Sequence, residues 1–208
     1  SQRVGNDERD LVSEKITSYE LGYFSSTRFL TSNVELDVKI FYEEMRDLVS
    51  DPITLQAKII TNDNEADVNG AEMQINSQLN LNHSLWFTYS YIDVDTKYTG
   101  NLLTGRDLER AKKYERRLTS ENSLVVSWLY DSKDWSASLS YFYQDSRNFD
   151  LTYQRYQLNV TKPFTISNVD FKASYYIQHN RELDTPLNYS NQIHSSANIY
   201  YAQIAVEF

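Results

Sequence analysis

The chain lacks cysteine altogether and contains little proline or glycine, with 3 and 5 such residues among 208. The absence of cysteine excludes a disulfide scaffold and any metal site with cysteine ligands. No run of about 18 apolar residues occurs, which excludes a transmembrane helix. Lysine and arginine number 20 against 29 aspartate and glutamate. The resulting net charge of -9 argues against a nucleic-acid partner, whose binding surface is usually basic.

Aromatic residues, by contrast, are abundant. They make up 14% of the chain and include 17 tyrosines, although only 40% of the residues are hydrophobic. A polar chain of this kind does not easily form a thick globular core. It can form a two-faced sheet, with one face apolar and the other wet.

Apolar and polar residues alternate over long stretches, and helical periodicity is almost absent. The segments WSASLSYFYQ and VDFKASYYIQ are the clearest examples. The alternation predicts nine strands, at residues 16–27, 34–48, 68–79, 84–95, 119–130, 134–146, 152–162, 169–180 and 197–208. Strands in soluble sheets are usually ~5–6 residues long. A tilted strand that crosses a bilayer needs ~9–11, so these lengths favour a membrane protein.

The connections between the strands alternate in length. The short ones are RFLTSN, NLNH, DSKD and PFTISN, and the longer ones lie at 49–67, 96–118, 147–151 and 181–196. An up-and-down barrel of the outer membrane has tight turns at one rim and longer external loops at the other. The connections therefore predict the same architecture as the strand lengths.

The two faces of the strands fit such a barrel, whose outer face meets lipid and whose lumen is wet. We expect polar side chains of the strands to face the lumen: Lys39, Glu72, Gln74, Asn76 and Lys172. Tyrosine and tryptophan prefer the level of the lipid headgroups. We expect a girdle from the rings near strand ends: Tyr23, Tyr91, Trp128, Tyr130, Trp135, Tyr143 and Tyr200.

Five segments resemble successive parts of the barrel of TonB-dependent outer-membrane receptors, over roughly residues 11–208. They are LVSEKITSYELGY, VELDVKIFYEEMRDLVS, NDNEADVNGAEMQI, LWFTYSYIDVDT and IYYAQIAVEF. The resemblance implies an all-β fold, an antiparallel up-and-down transmembrane β-barrel portion with about nine strands of a larger barrel. Residues 1–15 would be a lead-in segment and residues 16–208 the C-terminal part of the barrel.

The same resemblance implies a location in the bacterial outer membrane and a set of partners. These are outer-membrane lipid and lipopolysaccharide, the barrel assembly machinery, a plug domain and TonB in a full-length receptor, and a small-molecule ligand such as a metal chelate. The last segment resembles the terminal strand that the assembly machinery reads. Its signal residues would be Tyr200, Ile204, Val206 and Phe208.

No pattern of residues indicates an enzyme. The Gly-x-Ser-x-Gly, P-loop and dinucleotide-binding motifs are absent from the sequence. His83, His179 and His194 are far apart, without the spacing of metal ligands, and we expect them on the solvated surface. We therefore expect no catalytic residues, no cofactor and no metal site.

One loop, within residues 96–118, concentrates positive charge in an otherwise acidic chain. Its basic residues are Arg106, Arg110, Lys112, Lys113, Arg116 and Arg117. If the loop is extracellular, it can bind an anionic ligand such as a ferric chelate, or the phosphates of lipopolysaccharide. The alternative is a solvated loop helix stabilised by ion pairs along its own length.

The function expected from these features is transport across the outer membrane, as the C-terminal barrel part of a TonB-dependent receptor that takes up a scarce nutrient such as a ferric siderophore. One alternative is a small complete barrel that acts as a channel or adhesin. A less favoured one is a soluble β-sandwich that binds carbohydrate. Because an open sheet of nine strands leaves two unpaired edges in lipid, we expect either missing strands upstream or a tenth strand at ITLQAKIIT, residues 53–61.

Overall fold

The computed structural model describes residues 11–29, 32–50, 61–100, 105–106, 109, 121–146, 151–184 and 196–207. Within these ranges the chain forms nine β-strands, which confirms the all-β class. They are β1 (Lys15–Phe29), β2 (Ser32–Ser50), β3 (Thr61–Gln78), β4 (His83–Tyr98), β5 (Asn122–Asp131), β6 (Ser136–Ser146), β7 (Leu151–Ile166), β8 (Val169–Asp184) and β9 (Ser196–Glu207).

The described strands belong to one sheet, in which they lie side by side in the order of the sequence from β1 to β9. The pairs from β4–β5 to β8–β9 are all antiparallel. This confirms the up-and-down topology. A single sheet also leaves the β-sandwich alternative without structural support.

Six strands, β1 to β4, β7 and β8, are longer than the alternation predicts, whereas β6 begins two residues later, at Ser136. β3 begins at Thr61 rather than at residue 68, although TNDNEAD is rich in residues that disfavour strands. Pairing to its neighbours overrides this preference: the carbonyl of Asp63 accepts a hydrogen bond of 2.7 Å from the backbone N–H of Thr99. Residues 53–60 of the expected tenth strand lie outside the described residues. Because β1 and β4 are extended too, Tyr23 and Tyr91 lie within strands and not at their ends.

The chain divides into two compact units. Unit 1 contains residues 1–21, 40–70 and 92–119, and unit 2 contains residues 22–39, 71–91 and 120–208. Each of β1 to β4 contributes a segment to both units, whereas β5 to β9 belong to unit 2. The predicted division into a lead-in segment at 1–15 and a barrel part at 16–208 stays a prediction.

In unit 2, the strand register collects the apolar residues on one face. Leu85 pairs with Trp128, Leu139 with Leu158, and Ile177 with Tyr200. We define the apolar face of unit 2 by the residues that this register aligns: Leu85, Phe87, Leu124, Val126, Trp128, Leu139, Tyr141, Tyr156, Leu158, Phe171, Tyr175, Ile177, Tyr200, Ile204 and Val206. The alternate positions form the polar face, with Ser127, Ser140, Gln157, Ser174 and Gln178.

The sheet has almost no hydrophobic core. Ala66 and Ala137 are the only buried apolar residues in the part of the chain that the structure describes. Large apolar side chains are instead accessible on the apolar face, including Leu139 at 50% and Ile204 at 70% exposure. A soluble monomer rarely exposes so large a contiguous apolar surface, so this face requires an apolar environment.

In unit 1, the side chain of Asn62 on β3 binds the segment that leads into β1. Its amide nitrogen donates to the carbonyl oxygens of Val12 at 2.9 Å and Asp47 at 2.6 Å. Its oxygen accepts the backbone N–H of Val12, also at 2.9 Å. Asp47 has a positive φ of 56°, a conformation that aspartate tolerates better than most residues, and its carboxylate accepts Lys15 at 2.8 Å.

Glycine lets two strands of unit 1 pack closely. The ring of Phe41 on β2 lies over Gly70 on β3, and a Cβ at position 70 would overlap this ring. Glycine weakens a strand when it has no neighbour, but an aromatic ring that covers it restores packing.

Among the described residues, no helix is long and apolar enough to span a membrane.

Candidate functional site

The predicted basic loop is largely outside the described residues. Arg106 is described and exposed. Arg110, Lys112, Lys113, Arg116 and Arg117 all lie outside the described residues. The role of this loop in ligand binding therefore stays a prediction.

The predicted assembly signal lies on the terminal strand β9. Tyr200, Ile204 and Val206 occupy one face of β9 and pair with Ile177, Ala173 and Phe171 of β8. All three side chains are exposed, Tyr200 at 64%. Phe208 is outside the described residues, and recognition of this strand by the assembly machinery stays a prediction.

Four rings pack together on unit 2 beside the short turns, and we call them the turn-side cluster: His83, Trp128, Tyr130 and Trp135. The centroids of Tyr130 and Trp135 are 4.4 Å apart, and those of His83 and Tyr130 are 4.9 Å apart. This confirms that three of the predicted girdle rings meet near strand ends. Tyrosine and tryptophan at this position suit a membrane interface, because each ring has an apolar body and a polar edge.

The expectation that His83 lies on the solvated surface is wrong. The residue is half-buried, and its Nδ1 accepts a hydrogen bond of 3.2 Å from Nε1 of Trp128. The cause is the register, which places His83 opposite Tyr130 on the apolar face. Alternation within LNHSLWF could have assigned His83 to the face of Leu85 and Phe87.

A second group of rings lies nearer the long connections, and we call it the loop-side cluster: Tyr141, Tyr156 and His179. The ring centroids are 5.0 Å apart between Tyr141 and Tyr156, and 6.2 Å between Tyr156 and His179. His179 also contacts Asn198 through Nδ1 at 2.6 Å. The register places Leu85, Leu139 and Leu158 in the row of Trp128, between the row of Tyr130 and the row of Tyr141 and Tyr156.

The rings nearest the turns shift along the strands across unit 2. On β7 and β8 they are Phe164 and Phe171, which stack at 5.4 Å. Val160 is the residue of β7 that the register aligns with His83 on β4 and Tyr130 on β5. Phe164 lies four residues closer to the turn than Val160. If the two sets of rings mark the same headgroup level, this shift over about three strands, with ~3.4 Å per residue and ~4.8 Å per strand, corresponds to a tilt of roughly 43°. Strands of outer-membrane barrels tilt by about 35–45° relative to the barrel axis.

Polar side chains pair across the strands on the opposite face. The hydroxyl groups of Ser127 and Ser140 are 2.8 Å apart, and those of Thr161 and Ser174 are 3.0 Å apart. Lys39 and Glu72, two residues expected in the lumen, form an ion pair at 3.2 Å. Such cross-strand pairs satisfy polar groups on a face that water can reach.

A groove of about 530 Å³ lies in unit 2, near the short turns. Trp86 and Leu129, two apolar residues at polar-face positions, are part of its lining and remain 46% and 41% exposed. The other lining residues are Leu85 and six polar ones, namely Asn33, Glu35, Asn76, Ser77, Gln78 and Ser84. The alternation does not predict this groove, because Trp86 and Leu129 interrupt an otherwise polar pattern.

No group of three or more histidine or acidic residues suited to hold a metal ion occurs in the described ranges. The contacts among the described residues are those of a single-layer sheet. One side is apolar and bordered by rings, and the other side is polar and cross-linked. These features are the ones expected of a sheet that separates lipid from water.

Comparison with known proteins identifies the family. The family model described as "TonB dependent receptor-like, beta-barrel" matches residues 1–191. A chain in the solved "Structure of the FpvAI-pyocin S2 complex" has 13% sequence identity and a TM-score of 0.42. That match covers 93% of this chain and 31% of the other, so this chain spans about a third of its length. No curated protein matches the chain.

Because the family model covers most of its length, the chain belongs to the family of TonB-dependent receptor-like β-barrels. The match confirms the resemblance noted in the first four segments. The fifth, IYYAQIAVEF, lies beyond residue 191, and its resemblance to a terminal strand stays a prediction. Barrels of this family belong to outer-membrane receptors of Gram-negative bacteria, which are transporters and not enzymes.

Proposed function

We propose that this chain is a wall of an outer-membrane transport receptor that takes up a scarce nutrient, such as a ferric siderophore, with energy supplied through TonB. The observation that carries the proposal is the exposed apolar face of unit 2, on which aromatic rings form two clusters. Lipid covers such a face at no cost, whereas water does not.

The polar face then lines the lumen, where a plug domain is the expected occupant. The groove at Trp86 and Leu129 supports this arrangement, because an occupant would remove these two apolar side chains from water. The exposed outer surface would contact lipid and lipopolysaccharide. Tyr200, Ile204, Val206 and Phe208 would present the terminal strand to the barrel assembly machinery.

The basic residues from Arg106 to Arg117 are the proposed contacts for an anionic ligand such as a metal chelate. Arg106 supports this proposal by its exposure. Arginine and lysine bind anions through charge-assisted hydrogen bonds. A small channel remains the second candidate, since the two-faced sheet is equally suited to a passive pore.

Cell fractionation and uptake together test the proposal. We expect the intact protein in the outer-membrane fraction, and we expect its deletion to abolish growth on one ferric chelate as the sole iron source. Uptake should also be lost in a strain without TonB, because the transport step needs energy. The same assay tests the role of the loop in ligand binding. It compares a strain in which Arg106 and Arg110 are replaced by glutamine with a strain in which both are unchanged.

Recovery in the soluble fraction would contradict the proposal. Uptake that persists without TonB would instead identify a passive channel.

A further inference from the structure

An arginine on the polar face of unit 2 has no carboxylate partner in the part of the chain that the structure describes. The guanidinium carbon of Arg155, on β7, lies 3.8 Å from the centroid of the Phe142 ring. Its Nε is covered by protein and has no hydrogen-bond partner among the described residues. The four ion pairs found in those ranges involve other residues. The side chain as a whole is half-buried, so it is not hidden from the wet face.

Contact with the face of the Phe142 ring positions the guanidinium group of Arg155. Arginine has five N–H donors and no acceptor, and its planar fork matches the two oxygens of a carboxylate. The ring of Phe142 attracts the cation but accepts none of its in-plane hydrogen bonds. Arg155 is therefore held beside the ring, and no described carboxylate neutralises its charge.

A chain of side-chain amides leads to the residue opposite Arg155. Asn180 is its cross-strand partner on β8. The oxygen of Asn180 accepts Tyr153 Oη at 3.0 Å and Gln178 Nε2 at 2.9 Å. The oxygen of Gln178 in turn accepts Gln157 Nε2 at 3.1 Å and Tyr176 Oη at 2.5 Å.

This network determines which way the terminal amide points. Because Asn180 Oδ1 already accepts two hydrogen bonds, its Nδ2 is the end of the chain that remains a donor. Hydrogen bonds in series polarise one another, which strengthens the last donor. The amide donor of Asn180 and the guanidinium group of Arg155 thus stand at paired positions, and neither has an acceptor among the described residues.

We propose that Arg155 and Asn180 form a binding site for the carboxylate group of a small solute at the wet face of the sheet. A carboxylate only accepts hydrogen bonds, and it supplies the negative charge that Arg155 lacks. The site lies in the register row next to that of Tyr141 and Tyr156, on the opposite face of the sheet and one residue closer to the long connections. This proposal deepens the proposed transport function and rests on it for its biological role.

Titration of the purified intact protein with succinate, followed by ligand-observed NMR, tests the site directly. We expect saturable binding to the unaltered protein and a Kd at least tenfold higher for Arg155→Gln. Arg181→Gln is the matched control, because it removes one positive charge from an exposed residue of the neighbouring strand on the other face. The Kd of Arg181→Gln for succinate should stay within twofold of the Kd of the unaltered protein.

Asn180→Asp keeps the inference testable if Arg155→Gln does not fold. One aspartate oxygen can still accept Tyr153 and Gln178, while the other would face Arg155 in place of the solute. We expect the same loss of succinate binding in a folded protein. The absence of saturable binding to the unaltered protein, equal losses in the two arginine variants, or full binding by Asn180→Asp would each overturn the proposal.

These outcomes are separate from those of the proposed function. Succinate binding is measured on purified protein, whereas membrane location and TonB dependence are measured in cells. A protein that binds succinate through Arg155 but imports solutes without TonB would refute only the transport mechanism.

Discussion

Leu139→Arg is expected to destabilise the intact protein in lipid vesicles by about 2–4 kcal/mol, the cost of arginine at the bilayer midplane on a lipid-facing strand. Leu139 lies between the turn-side and loop-side clusters on β6, and it is 50% exposed in the structure. If water covered this surface, an arginine there would change stability by no more than about 0.5 kcal/mol. Urea unfolding measures the difference.

The adjacent residue provides the control. Ser138 faces the polar side of the same strand, so Ser138→Arg should cost less than about 0.5 kcal/mol. The two variants differ by one position along the chain and by the face on which the charge lies. Equal stability of the two variants would contradict the assignment of the faces.

Gly70→Ala is expected to destabilise the protein by about 1–3 kcal/mol, because the added methyl group overlaps the ring of Phe41 and forces it aside. The same change usually stabilises a strand interior, since glycine there costs about 0.5–1 kcal/mol relative to alanine. Gly22→Ala is the matched control, with Val38 O at 3.9 Å as the nearest atom to the new Cβ. We expect it to be neutral or stabilising in the same unfolding measurement.

A double-mutant cycle attributes the effect to the ring. In a Phe41→Ala background the methyl group at position 70 meets no ring, so Gly70→Ala should lose its cost. The coupling between the two positions should reach about 1 kcal/mol or more, as for residues in direct contact. Additive effects would show that the destabilisation has another origin.

Alternation along the sequence was enough to predict the strands and most of their faces. WSASLSYFYQ places Leu139 and Tyr141 opposite Ser138 and Ser140, and the structure has the same division. The strand ends could not be predicted as well from the alternation, because pairing extends β3 through residues such as Asp63 and Asn64 that disfavour strands by themselves.

Contacts between strands could not be predicted in this way. The alternation puts Phe142 on the polar face, where a ring is unexpected, but only the register shows that it supports Arg155. The chain of amides from Gln157 to Asn180 likewise depends on which residues face each other on β7 and β8. Register is set by the whole sheet and is not encoded in any one strand.

The central claim is that one face of this sheet meets lipid and the other meets water. Since the chain has no cysteine, single cysteines carrying a spin label can be placed along β8 without background. We predict that positions 171, 173, 175 and 177 are reached mainly by oxygen dissolved in lipid, and positions 172, 174, 176 and 178 mainly by a water-soluble nickel chelate. The claim would be contradicted if the nickel chelate reached the labels on both faces equally, without alternation along the strand.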